Sequence, residues 1–188
     1  TMIVFIAMVI VSAVAAGVLI RTSGKLQQQA SATGEETIRQ VSSGVKIQSI
    51  VGHSDGNRKI ENIILIASLR AGSQGINLKD TVLQYTSDNE SLHLTMGGAA
   101  LDNRKKISLS SSSFYVNKIR NPSSSENYML SESGDVAEMW ISTDSIETGS
   151  GLPAGSKVTI NLMPPNGFQS YARVVVPVVL GTNKSYEL

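Results

Sequence analysis

Residues 1–20, TMIVFIAMVIVSAVAAGVLI, contain no charged side chain. Coiled as an α-helix they span roughly 30 Å, the thickness of a bilayer's hydrocarbon core. The run has no polar face. A helix that is apolar all round must be enclosed by lipid or by other copies of itself. A cleaved secretory signal would carry a cationic n-region and a shorter apolar stretch. Here no Lys or Arg precedes Arg21, and a helix-compatible pattern continues past it. The expectation is a retained helix.

From Arg21 the pattern thins. Leu26, Ala30, Thr33, Thr37, Val41, Gly44 and Val45 recur at steps of three and four, one narrow face of a helix. Glu35 and Arg39 stand at i,i+4 in the favourable order on the opposite side. Gly24, Gly34 and Gly44 each cost a helix about 1 kcal/mol against Ala, so neighbours must support it. If continuous to about residue 49, the rod is roughly 70 Å long. Two helices, or a helix and a linker, are the alternative.

Beyond Gly52 the period changes to two. The runs 58–70, 81–87, 91–96, 114–119, 136–142, 157–163 and 171–179 are rich in branched and aromatic residues, with Gly, Ser and Asn between them. PPNG at 164–167 predicts a tight turn. Pro177 confines the last run to a sheet edge or a bulge. No helix-period segment intervenes, which excludes a parallel βαβ sheet. The predicted fold is α+β: an N-terminal helix over 1–51 and an antiparallel, immunoglobulin-like β-sandwich over 52–188. The sandwich, from about residue 53, is expected to fold alone.

Composition narrows the function. The chain has 188 residues, a net charge of +1 and no cysteine. It offers no basic footprint for nucleic acid and no thiolate chemistry. His53 and His93 are its two histidines, one in a turn cluster and one on the wetter side of a strand. The acidic groups Glu132, Asp135, Glu138 and Asp88, Glu90 read as solvated loops. The serine runs 110–113 and 123–125 lie in no nucleophile elbow. No catalytic, cofactor or metal set is expected.

Two short motifs remain. Asn89-Glu90-Ser91 and Asn183-Lys184-Ser185 match the N-glycosylation acceptor. Asn89 stands in a polar stretch between two predicted strands. In the first helix, Ala13, Ala16 and Gly17 are small residues at the spacing that permits close helix contact. Ile3, Phe5, Ile6, Ile10, Ala13, Val14, Gly17 and Leu19 form the apolar surface expected to carry assembly.

IVFIAMVIVSAVAAGVLI (3–20) followed by RTSGKLQQQASATGEETIRQVSSG (21–44) resembles the N-terminal region of archaeal flagellins, the archaellins. The resemblance is specific over about the first 50 residues and stylistic beyond them. Related type IV pilins carry a glutamate near the mature N-terminus. Residues 1–20 have none, which favours an archaellin. Mature family members usually begin a few residues ahead of the position matching Thr1. The resemblance implies a membrane-embedded precursor cut by a prepilin-type peptidase, then a homo-oligomeric helical filament outside the cell. Its core would be the N-terminal helices, its surface the sandwich with N-linked glycans. A paralogous co-subunit is compatible with it. An adhesive pilus subunit and a membrane-tethered binding domain are the other classes this architecture allows.

Overall fold

The computed structural model describes residues 1–54, 58–99, 111–119, 128–131, 134–147, 151–181 and 184–188. It has two compact units, Thr1–Arg39 and Gln40–Leu188.

The first unit lies within a single helix, α1, Met2–Ser42. It is unbroken through Gly24 and Gly34, so the continuous reading holds over this stretch. Its end differs from the expectation. The helix stops before Ser43-Gly44, and Val45 opens a strand. The stretch Val45–Ile50 carries both periods in sequence. The strand wins because Val45 and Ile50 both enter the core of the second unit, a register shift between Ile47 and Ser49 bringing these two positions, five apart, to the same face. The boundary expected between 51 and 52 therefore falls inside a strand.

The second unit is built of short strands: β1 (Val45–Ser54), β2 (Lys59–Ile60), β3 (Asn62–Leu69), β4 (Ile76–Asn77), β5 (Val82–Thr86), β6 (Ser91–Ala99), β7 (Ser113–Ile119), β8 (Met129–Leu130), β9 (Val136–Ser142), β10 (Leu152–Pro153), β11 (Lys157–Met163), β12 (Ser170–Val175) and β13 (Lys184–Glu187). Nine of them form one hydrogen-bonded sheet in the order β12-β11-β5-β6-β7-β9-β3-β1-β13. All its pairings are antiparallel except β6 with β7. The fold is α+β, an apolar helix followed by a mostly antiparallel β domain. A four-residue helix, α2 (Thr143–Ile146), follows β9 and is capped by the Ser142 hydroxyl.

The sheet closes on itself rather than lying flat. Gly44 bridges Phe168, and the Ser170 hydroxyl donates to the Val45 carbonyl, which ties the β12 edge to the start of β1. The inward residues of both halves share one core. Ile63, Leu65, Met139, Ile141 and Phe114 come from one half, and Leu83, Tyr85, Leu94, Ile160 and Leu162 from the other. Alternation holds along β11, where Val158, Ile160 and Leu162 are buried and their neighbours are not. β12 is an edge strand ending before Pro177, as that proline required.

Candidate assembly interface

No residue of α1 is buried. Ile3 is 83% exposed, and Phe5, Ile6, Ile10, Val14 and Leu19 are exposed with it. At 3.6 residues per turn, Ile3, Ile6, Ile10, Ala13, Val14 and Gly17 fall within an arc of about 100°. Phe5 and Leu19 lie on the far side, so the apolar surface runs all round the helix. The one hydroxyl in this stretch is satisfied internally: Ser12 Oγ donates to Met8 O at 2.8 Å. Nothing lies within 4 Å of a Cβ placed on Gly17, so a neighbouring backbone can approach there.

Below Arg21 the exposed apolar side chains thin to Leu26, Ile38 and Val41. Thr33 and Thr37 of the expected seam bond back to Gln29 O and Thr33 O, each at 2.8 Å. Arg39 pairs with Glu36 at 3.7 Å, one turn away, rather than with Glu35. The i,i+3 partner is reached where the i,i+4 one is not.

In the β domain, Asn89 sits in the β5–β6 hairpin. Thr86 and Ser91 are paired, and Ser87 N donates to Glu90 O at 2.8 Å. Asn89, Glu90 and Ser91 are all exposed. The Asn89 backbone N donates to Ser87 Oγ, and its side-chain amide takes no hydrogen bond among the described residues. Ser87 Oγ in turn donates to Glu147 Oε1 at 2.6 Å, where the Tyr85 hydroxyl also donates at 3.4 Å. Burial, and then the negative charge of Glu147, push the Tyr85 pKa well above its ordinary value. Asn183 lies outside the described residues.

The archaeal-type flagellin family model matches residues 1–173. The chain belongs to that family. This flagellin is 36% identical over 186 residues to flagellin B1 of Natrialba magadii, across 94% of this chain and 86% of that one. It is 35% identical to flagellin B5 of Pyrococcus abyssi over 205 residues, across 94% and 91%. Its fold is shared with the crystal structure of flagellin FlaB1 from Methanocaldococcus jannaschii. There the TM-score is 0.68 and the identity 23%, over 77% of this chain and 96% of that one. The archaeal flagellum of Methanospirillum hungatei shares it too, with a TM-score of 0.69 and 17% identity over 96% and 94%. The flagellin is a structural filament subunit of the archaellum and not an enzyme. Its place is in a multi-subunit helical assembly, a cell-surface appendage.

The other polar groups of the flagellin find local roles. Asp135 Oδ2 accepts from Ser131 N at 2.8 Å, and Asp88 Oδ2 accepts from Lys157 N at 3.4 Å. His93 is exposed on β6, between half-buried Leu92 and buried Leu94. His53 Nδ1 is 3.3 Å from Ser185 Oγ. Glu132, Ser110 and Ser123–Ser125 lie outside the described residues.

Sequence reasoning missed two features. Tyr85, Ser87 and Glu147 meet across about 60 positions, and no local spacing announces that. The second is a group of exposed apolar side chains, Phe168, Tyr171, Val175, Val178 and Val179, along β12 and the segments flanking it. Its signal was present: 174–179 is apolar without alternation, so some of those side chains had to face outward.

Proposed function

We propose that α1 serves twice, first as the membrane anchor of the precursor and then as the contact between subunits in the filament core. The observation that carries this is a charge-free helix exposed on every face through Ile20. In water such a surface loses about 25 cal/mol per Å² relative to burial, so an enclosing partner is required. Lipid and identical helices both qualify. The positions that carry the contact are Ile3, Phe5, Ile6, Ile10, Ala13, Val14, Gly17 and Leu19, with Ala13 and Gly17 allowing close approach. A paralogous flagellin with the same helix would fit the same surroundings.

The β domain then faces the outside of the cell. Its exposed apolar side chains Phe168, Tyr171 and Val175, with Arg173 among them, support an auxiliary lateral contact between neighbouring subunits. Asn89 carries an N-linked glycan, because its amide is free and its hairpin projects into solvent. Asn183 is a second acceptor on the strength of its motif.

The full chain should pellet as filaments, and the chain lacking residues 1–20 should remain a folded monomer in the supernatant. Filaments formed by the truncated chain would refute the reading. Deletion in a motile cell should abolish swimming; swimming cells without this chain would refute the motility role.

A further inference from the structure

Beside Asn89 the surface opens into a cleft of about 330 Å³. It is lined by Ser87, Asp88 and Asn89 on the hairpin side, by Glu147, and by residues 152–156 opposite. That volume is at the lower end of ligand pockets, which run from roughly 300 to 1,000 Å³. One monosaccharide is the size of guest it suits.

Its chemistry is specific. Glu147 is buried, yet both hydrogen bonds it accepts land on Oε1. Oε2 accepts none among the described residues, although the side chain lines the cleft. Oε2 is not a buried orphan, so no desolvation cost drives the contact, but a hydroxyl presented in the cleft would meet a charged acceptor there. Pro153 and Ala154 are exposed on the opposite wall, an apolar surface on which the C–H face of a sugar ring can rest. Asp88 adds a second carboxylate, and no Lys or Arg is among the described lining residues. An acidic sugar would meet like charge from Asp88 and Glu147 inside the cleft, with Lys157 standing just beyond the lining residues.

We infer that this cleft seats the first sugar of the Asn89 glycan, and that this sugar is uncharged. The inference rests on the reading that Asn89 is glycosylated. The Asn89 side chain is on the cleft's own rim, so the guest is tethered and pays little to enter. Seating would clamp the β5–β6 hairpin to the segment 152–156.

The test is made on native, full-length chain in two steps. Glycopeptide mass spectrometry first measures occupancy of Asn89 and the charge of the innermost sugar. An unmodified Asn89 defeats the glycosylation reading itself. Hydrogen exchange of the peptide spanning 152–157 is then compared between the occupied chain and two unglycosylated variants, Asn89→Gln and Ser91→Ala. Exchange in the occupied chain should be about tenfold slower, the effect of one hydrogen bond to a charged acceptor. Ala154→Trp, which fills the cleft from an exposed position, should keep Asn89 occupied and make exchange of the peptide independent of the glycan. Equal exchange in occupied and unglycosylated chains would overturn the seating while leaving glycosylation intact. An acidic innermost sugar would overturn the assignment of its class.

Discussion

Ser87 Oγ and Glu147 Oε1 lie 2.6 Å apart, joining the β5–β6 hairpin to the end of α2 across the second unit. The same hydroxyl accepts from the backbone N–H of Asn89 and of Glu90. One buried carboxylate thus fixes the conformation of the acceptor hairpin through a single serine. Tyr85 completes the group from the core side, fully buried with its hydroxyl on the same oxygen.

That arrangement gives the domain a pH limit. The Tyr85 pKa is raised in the folded state, so between the unfolded and folded values the native protein holds a proton that the unfolded chain releases. Stability from this group is complete below the unfolded value, about 10, and is lost as pH rises above it. The loss should approach about 1.4 kcal/mol per pH unit. Urea unfolding of the detergent-solubilised full chain, followed by near-ultraviolet circular dichroism from pH 8 to 11, measures it. Tyr85→Phe should remove this contribution to the slope; equal slopes for the two chains would refute it.

Gly167, in the turn between β11 and β12, has φ +92, and a Cβ there would collide with the Ser43 carbonyl. Phe168 N donates to that same carbonyl at 2.9 Å, so the turn and Ser43, just before β1, are fixed together. Gly72 has φ +79 but open space around it. Gly72→Ala should therefore cost about 1–2 kcal/mol for the backbone alone, and Gly167→Ala clearly more. Thermal unfolding of both variants decides it, and equal losses would count against the collision.

Truncation locates the true boundary. A chain of residues 40–188 keeps β1 between β3 and β13, with Val45 and Ile50 in the core. A chain of residues 53–188 loses both side chains, each worth about 1.5–3 kcal/mol, together with most of β1's pairing. That is a large share of a domain stability of roughly 5–15 kcal/mol. The longer fragment should melt cooperatively and the shorter should not. A cooperative transition from 53–188 would restore the boundary expected from sequence.

The sequence revealed most where one physical demand acted alone. Ile3 through Ile20 had no charged residue to compete with burial, and the runs 136–142 and 157–163 became β9 and β11 at those same limits. It misled where two demands overlapped. Val41, Gly44 and Val45 fit a helical seam, yet Val45 alternates with Lys46 and Ile47, and the long-range pairing with Leu69 decides for a strand. β13 was hidden for a related reason: Lys184–Glu187 is polar and extended only because β1 offers it an edge. The acceptor hairpin at Asn89 was legible as an exposed turn. Its anchor at Glu147 was not, because that contact is made by folding rather than by spacing.

The central claim is that the apolar helix is the contact without which subunits do not assemble. Val14 lies mid-helix among exposed apolar side chains, with no charged residue before Arg21. A carboxylate there would cost several kcal/mol in lipid or in a helical bundle. The direct measurement is electron microscopy of cells expressing Val14→Glu or Val14→Leu in place of the native chain, with near-ultraviolet circular dichroism of the recovered subunits. Val14→Leu should give normal filaments, and Val14→Glu should give folded β domains and none. Filaments of normal number and length from Val14→Glu would contradict the claim.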